Sequence, residues 1–511
     1  MSIFDAMEQN KFEGNDLGVK DILRLLKGQL ELSENVWEKI VSNRKSLESL
    51  LEKSNESHYG INTGFGSLYS VKISPGEIQM LQTNLLRSHA CGVGPVAPVI
   101  IVRLTLLLKI ISLSKGHSGV RKEVIQFLID LSNHDILPVV PSLGSLGASG
   151  DLAPLAHLCL PMIGEGEVVY KREQMPVARA FQLNGMQSLQ LSAKEGLALI
   201  NGTQYSLAWL IYAIENATRL SGVIDMCTAM SMEGYDCHPS PLDEQIHIAR
   251  RQQGQIISAF FIRKWLEGSD IQKNGKAHLQ DPYSFRCSPQ VQGATRDVIE
   301  YAQKIAENEI NAVTDNPLVF ENDGEARIVS GGNFHAQPLA LASDFLSIAL
   351  SEYGSISERR SYLLLSGQRG LPPTLATRPG VESGMMICQY TAASIVNRNK
   401  ILSHPASTDS IVTSAGQEDH VSMAAGAGMK LYEIVNNVWK IVAIEWMIAC
   451  QALEYRRPLK TSSFLEEKFS DYRKIVAPLS GDRSLSGDID ATENFLRQMF
   501  EQKWSAIPPS Y

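Results

Sequence analysis

Apolar positions recur at three- and four-residue spacing through most of this chain, the pattern of helices that bury one face. From 17 to 54 the spacing predicts two or three short amphipathic helices, the first marked by Val19, Ile22, Leu23, Leu25 and Leu26. Ile78 to Ala90 reads as a further helix, and 97 to 131 as one or two more around Gly116-His117-Ser118-Gly119. Beyond 205 the runs lengthen and predict helices over 205–232, 241–267, 289–311, 335–363, 383–402 and 425–455, with a last one near 491–503. The 425–455 stretch carries Leu431, Ile434, Val435, Val438, Val442 and Ile444, with little charge until Glu445. A helix apolar on nearly every side is expected to lie inside a bundle or a subunit interface. Extended patterns are few. Gly166 to Tyr170 with Pro176 to Arg179 reads as a short hairpin, and Val319-Phe320, the Asp323-Gly324 turn and Ala326 to Val329 as a second. The expected fold is mainly α: a long-helix bundle core, and a mixed, loop-rich N-terminal domain with a few short β-hairpins. The expected division is 1–205 and 206–511.

Composition narrows the class. At 511 residues, 44% hydrophobic and 20% charged, the chain has the make-up of a soluble globular protein. The net charge of −8 and dispersed basic residues point away from nucleic acid. Ile100 to Ser112 is strongly apolar, but it is short for a bilayer and Arg103 and Lys109 interrupt it, so no membrane association is expected. The first residues lack a basic-then-apolar leader pattern. Seven scattered cysteines without a CxxC fit reduced thiols in a cytoplasmic protein. Eleven dispersed histidines show no HExxH or zinc spacing, so no metal is expected.

The segment Gly144 to His157 changes the picture more than any other. Three glycines and two serines follow one another closely between the extended run Ile136 to Pro141 and an apolar helical pattern. Asp151 and the serines are good helix openers, since their oxygens accept from unpaired N–H groups. The bland reading is a Gly-Ser turn. A phosphate loop is opposed by the absence of Gly-Lys-Ser/Thr and of GxGxxG. A third reading is chemical. In Ala148-Ser149-Gly150 the Gly150 nitrogen can attack the Ala148 carbonyl; loss of water, and of the Ser149 hydroxyl, leaves a methylidene-imidazolone. Such a ring is an electrophile that no ordinary side chain provides.

Other segments carry chemistry without deciding it. Tyr59 sits in a glycine-flanked, aromatic loop and could act as an acid or base. His89 falls in the last turn of a predicted helix, where a histidine commonly just suits the dipole. Leu197 to Gln204 ends one helix at Asn201-Gly202 and starts another. In Gln280 to Cys287, Asp281 suits an N-cap and Pro282 the first helical position, which puts Tyr283 and Arg286 on one face. A guanidinium beside a phenol can bind a carboxylate, although a surface Arg–Glu pair is as good a reading. Phe334 lies in the tight loop Ser330 to His335, and Glu418 in a cluster of two carboxylates and a histidine.

Taken together, nine segments resemble, in order and spacing, the histidine ammonia-lyases of the MIO-dependent family (MIO being the methylidene-imidazolone). They are YGINTGFG from Tyr59, SHACGVG from Ser88, GSLGASGDLAPLAH from Gly144, NGTQ from Asn201, QDPYSFRC from Gln280, AVTDNPLVF from Ala312, SGGNFHA from Ser330, HPASTDS from His404 and QEDHVSM from Gln417. The likeness runs from about Tyr59 to Leu496. No fumarase-type GSSxMPxKxN loop is present.

The resemblance implies that Ala148, Ser149 and Gly150 form MIO autocatalytically in the N-terminal domain, with no pyridoxal phosphate and no metal. It implies Tyr59 as catalytic acid/base, with Tyr283 also in the catalytic set. Asn201 and Gln280 hold the MIO carbonyl and substrate, Arg286 binds the substrate carboxylate, Phe334 lines the pocket, and His89 and Glu418 face the ring. The implied reaction is deamination of L-histidine to trans-urocanate and ammonia, the first step of histidine degradation. A tyrosine or phenylalanine ammonia-lyase or a MIO aminomutase is the alternative. The implied assembly is a cytoplasmic homotetramer with shared active sites. Gly416 and Gln337 depart from the family's usual Asn and Glu and put local geometry in question.

Overall fold

A computed structural model describes residues 9–53, 56–66, 70–322 and 325–499. Helices dominate these residues, and no described strand exceeds five residues. The chain divides into two compact units, each assembled from separated segments. One comprises Met1–Tyr212, Gln303–Asp344 and Pro405–Met429; the other comprises Ala213–Ala302, Phe345–His404 and Lys430–Tyr511.

In the first unit the region expected to hold only short helices is richer. Gln9–Phe12 pairs in parallel with Gln29–Leu32 around the helix Val19–Leu25, and one long helix, Glu34–Lys53, follows. That helix supports the hairpin Leu318–Asn322 and Glu325–Val329, with Leu47, Ile61 and Val319 in a shared apolar cluster. The expected Asp323-Gly324 turn lies outside the described residues. The apolar run becomes the helix Val99–Ser114, buried on nearly every side, and Lys122–Asn133 packs against it. Among the described residues no helix is long and apolar enough to cross a membrane.

Two expectations are corrected here. Glu167–Tyr170 pairs with Glu173–Pro176 and also with Leu137–Pro138, but Val177 to Arg179 open the helix Val177–Asn184 instead of continuing the hairpin. Val177 and Phe181 are buried, four residues apart, so helical packing overrides the β-preference of valine. Asp151 stands at the N-cap of Leu152–Cys159 but makes no cap bond. Its carboxylate turns instead to Ser206 and Ser145.

Three short helices place most of the site. Ile78–His89, Leu152–Cys159 and Glu195–Ile200 pack on one another. The first ends on His89, the second begins just after Ser149 and Gly150, and the third stops at Asn201. The tertiary contact of three helix ends thus gathers residues up to 112 positions apart in the sequence.

The second unit holds the long helices. Met386–Leu402 lies within it, and Gln204–Gly234, Ser288–Ile310, Gln337–Leu364 and Ala424–Glu454 run into it, close to their expected limits. The 241–267 span is divided at Arg251, which has φ +63, into Glu244–Arg250 and Gln253–Leu266. The last helix is Ser486–Met499; 500–503 lie outside the described residues. Trp439 and Trp446 are fully buried, and Trp446 meets the rings of Tyr472 and Phe495. Glu445, the charge that ends the apolar run, forms a buried two-point pair with Arg360 (2.5 and 2.8 Å) and accepts from Ser231 (2.6 Å). A buried pair so satisfied is costly to break from one side only.

Candidate active site

The first unit contains a cavity of about 670 Å³ lined by Tyr59, His89, Ser149, Asn201, Ser414 and Glu418 together with apolar Leu81, Leu85, Leu152, Leu197 and Ile200. Five residues singled out in the sequence therefore meet in one chain. Ala148 and Gly150 flank Ser149 in the same segment.

The Ser149 backbone is gripped from the Asn201 side. Asn201 Nδ2 donates to the Ser149 carbonyl (3.1 Å), and the Asp151 N–H donates to the Gly202 carbonyl (2.8 Å). Gly150 has φ +75, and a Cβ there would stand 2.1 Å from the Gly202 oxygen. Only glycine permits both the conformation and the approach. The buried Asp151 accepts from the Ser206 N–H (2.8 Å), the Ser206 hydroxyl (2.7 Å) and the Ser145 hydroxyl (2.9 Å). Burial pushes its carboxyl up, and these bonds pull it back. The segment is thus tight, backbone-clamped and free of bulky side chains, which suits ring closure at Ala148-Ser149-Gly150.

Tyr59 is placed by its loop. Ile61 is buried against Leu47 and Val319, and the Gly66 N–H donates to the Tyr59 hydroxyl (3.2 Å). His89 Nδ1 lies 2.9 Å from the Leu85 carbonyl and 3.0 Å from the Ser88 hydroxyl. A carbonyl only accepts, so Nδ1 carries the proton and a neutral His89 keeps Nε2 as an acceptor. Burial holds His89 below its usual value of 6.5, opposed by the Leu85 bond and the charge of Glu418. Glu418 Oε2 accepts from Thr413 (2.8 Å), and its Oε1 accepts from the Ser149 hydroxyl (3.4 Å). The two backbones pair across a tight turn in which Gly416 has φ +87. Glycine enters that region freely, and asparagine is among the few other residues that do, which accounts for the departure at this position. Gln337 opens its helix with a buried side-chain oxygen lacking a protein partner among the described residues; nothing in the structure explains this change.

The remaining expected residues do not line this cavity. Phe334 belongs to the same unit, in the turn before Gln337. Gln280, Tyr283 and Arg286 belong to the second unit and meet one another there. Arg286 Nη1 donates to the Gln280 side-chain oxygen (2.8 Å), and its guanidinium stands 4.8 Å from the centre of the Tyr283 ring. The segment is a single turn, Tyr283–Arg286, capped by Pro282, so Asp281 is not its N-cap. Asp281 instead accepts from the His238 N–H (2.7 Å) and pairs with His278 and Arg369, tying down the residue beside Gln280. Among the described residues no group of three or more histidine, cysteine, aspartate or glutamate side chains is placed to hold a metal.

Three contributors escaped the sequence reading: Thr413, which holds Glu418, the Asp151–Ser206 clamp, and Lys109, whose ammonium donates to the Asn201 carbonyl (2.8 Å). The signal for Lys109 was present, as a charge inside an apolar run.

Residues 17–474 match the family described as aromatic amino acid lyase. Over 495 residues the chain is 45% identical to a histidine ammonia-lyase of Caldanaerobacter subterraneus subsp. tengcongensis, covering 96% of this chain and 97% of that one. Its fold is similar to that of histidine ammonia-lyase from Trypanosoma cruzi, with TM-score 0.89, 38% identity and 96% and 94% of the two chains covered. It is similar also to tyrosine aminomutase from Streptomyces globisporus, with TM-score 0.90, 31% identity and 96% and 97% covered.

Proposed function

Because the chain belongs to the aromatic amino acid lyase family, we propose that it removes ammonia from L-histidine without oxidation, releasing trans-urocanate. The observation that carries this reading is the cavity joining Ser149 and Asn201 to Tyr59, His89 and Glu418. The fit to MIO rests on the clamped Ala148-Ser149-Gly150 backbone and on the Asn201 amide bonded to the Ser149 carbonyl, the oxygen that a ring would retain. Once formed, that ring supplies an electrophilic methylidene that makes the substrate amine a better leaving group.

The chain's own groups do the rest. Arg286 binds the substrate carboxylate through its forked N–H groups, with Gln280 and Tyr283 beside it. The Tyr59 phenol stands on the cavity wall as the acid/base for the β-proton. His89 Nε2 is an acceptor for the single N–H of a neutral imidazole ring, with Glu418 beside it as a second acceptor. A phenyl ring has no N–H to give, and a site built to bond that group rejects an analogue that lacks it. Leu81, Leu85, Leu197 and Ile200 give the cavity an apolar wall. Seven thiols without a disulfide support a cytoplasmic setting. We place the carboxylate clamp and Phe334 on other copies of this chain than the one supplying the cavity, as in a homotetramer with shared sites.

The direct test is product analysis with L-histidine, L-tyrosine and L-phenylalanine. Urocanate and ammonia from histidine, with little cinnamate or coumarate, are expected. A β-amino acid product, or preference for tyrosine, would sink the histidine reading.

The pH dependence has a definite sign. Since burial lowers the His89 value, its acid limb in kcat/KM lies below pH 6.5. As pH falls through that lowered value, Nε2 gains a proton and stops accepting, so KM rises. Substitution His89→Gln keeps an acceptor at every pH. Dividing the two profiles cancels the ionisation of the substrate and should leave the limb of His89 alone. A flat ratio across the acid range would show that His89 does not read the ring.

A further inference from the structure

Lys109 lies in the middle of the helix Val99–Ser114 and is 1% exposed. An ammonium at that depth is expensive, and a methionine would fill the same space without the cost. The acids around it have other partners. Asp315 is bonded to Lys194 (2.7 Å) and Ser118 (3.1 Å), and Asp151 to Ser206 and Ser145. The hydrogen bond that Lys109 makes is to the Asn201 carbonyl, at 2.8 Å. Burial pulls its amine down to about 8, and Asp315 and Asp151 keep it from falling further.

The Asn201 side chain depends on that anchor. Its Nδ2 bonds the Ser149 carbonyl, but its Oδ1 is buried with no protein partner among the described residues. The amide is therefore oriented through its backbone, by the N–H bond to Leu197 (2.9 Å) and by Lys109 on the carbonyl. The next residue, Gly202, takes the Asp151 N–H. Asn201-Gly202 thus holds the Ser149 carbonyl and the Asp151 amide, one on each side of the Gly150 nitrogen.

We propose that Lys109 is a positioning residue for ring formation at Ala148-Ser149-Gly150, acting by fixing the Asn201 backbone so that its amide meets the Ser149 carbonyl. The proposal rests on the function proposed above. In the chemistry involved, a bond forms from the Gly150 nitrogen to the Ala148 carbonyl carbon. The Ala148 oxygen leaves as water with one proton from the Gly150 nitrogen and one from the Ser149 nitrogen. The second water takes the Ser149 hydroxyl and the Ser149 Cα proton. Removing that Cα proton sends negative charge to the Ser149 carbonyl oxygen, where a fixed N–H lowers the barrier.

The experiment is intact-mass measurement on purified folded oligomers, with far-UV circular dichroism and the thermal midpoint as fold controls. Wild type should be two waters lighter than its encoded chain. Substitution Lys109→Met should leave most chains at the encoded mass while the fold controls hold. Adding Lys109→Met to Asn201→Ala should lower ring formation no further than Asn201→Ala does alone. Complete ring formation in Lys109→Met overturns the proposal. So does complete ring formation in Asn201→Ala, which keeps Lys109 in place and stands as the test should Lys109→Met not fold. A wild-type chain that has lost no water would instead refute the reading of the reaction itself.

Discussion

Substitution Ser149→Ala yields a folded chain that cannot lose the second water, and whose turnover of L-histidine falls by on the order of 10⁴-fold or more, about 5 kcal/mol of barrier. Alanine has no hydroxyl to lose, so no exocyclic methylidene can form. The rest of the site survives, because the Ser149 hydroxyl supports little else: its bond to Glu418 is long, at 3.4 Å. Glu418 keeps Thr413, and the Ser149 carbonyl keeps Asn201. Binding of L-histidine should therefore change much less than turnover. Mass spectrometry and a urocanate assay check the two halves separately. Activity near wild type would remove MIO from the account altogether.

The second large effect is on assembly. Alone, Tyr59→Phe should lower kcat by roughly 10²- to 10⁴-fold, the usual worth of a positioned acid or base. Alone, Arg286→Met should lower kcat/KM by roughly 10²-fold, the loss of two charge-assisted bonds. Unfolded together and reassembled at equal amounts, the two inactive variants should recover roughly a quarter of wild-type activity if cavity and clamp come from different copies. Each productive site would then combine a cavity from the arginine variant with a clamp from the tyrosine variant. Tyr59 and Glu418 line one cavity of one chain, so a Tyr59→Phe and Glu418→Ala mixture should recover nothing. No recovery from the first mixture would place cavity and clamp in the same copy.

Local chemistry was legible where it depends on neighbours in the chain. The long helices from 289 onward agree with their three-four pattern to within a few residues, because a continuous apolar face is a local property. The pairing of Arg286 with Tyr283 followed from their spacing and is present at 4.8 Å. Where the reading failed, distant partners decided. Asp151 looked like a helix cap, but Ser206, 55 residues on, offers its carboxylate two bonds at once. Asp281 looked like a cap as well and is taken by His238, His278 and Arg369. The strand expected at Val177 became helix because its apolar residues found a buried face.

By itself the sequence determined the helical class, the candidate segment for cyclisation and the inventory of reactive groups, all of which are encoded in short runs of residue types. Only the tertiary structure decided which of them meet. It brought Tyr59, His89, Ser149, Asn201 and Glu418 to one cavity and left Phe334 out of its lining. It also set the buried Lys109 against the Asn201 carbonyl, a contact that periodicity hides. The reason is physical: hydrogen bonds and packing act over a few ångströms, and only the folded chain brings positions 109, 149, 201 and 418 within that range.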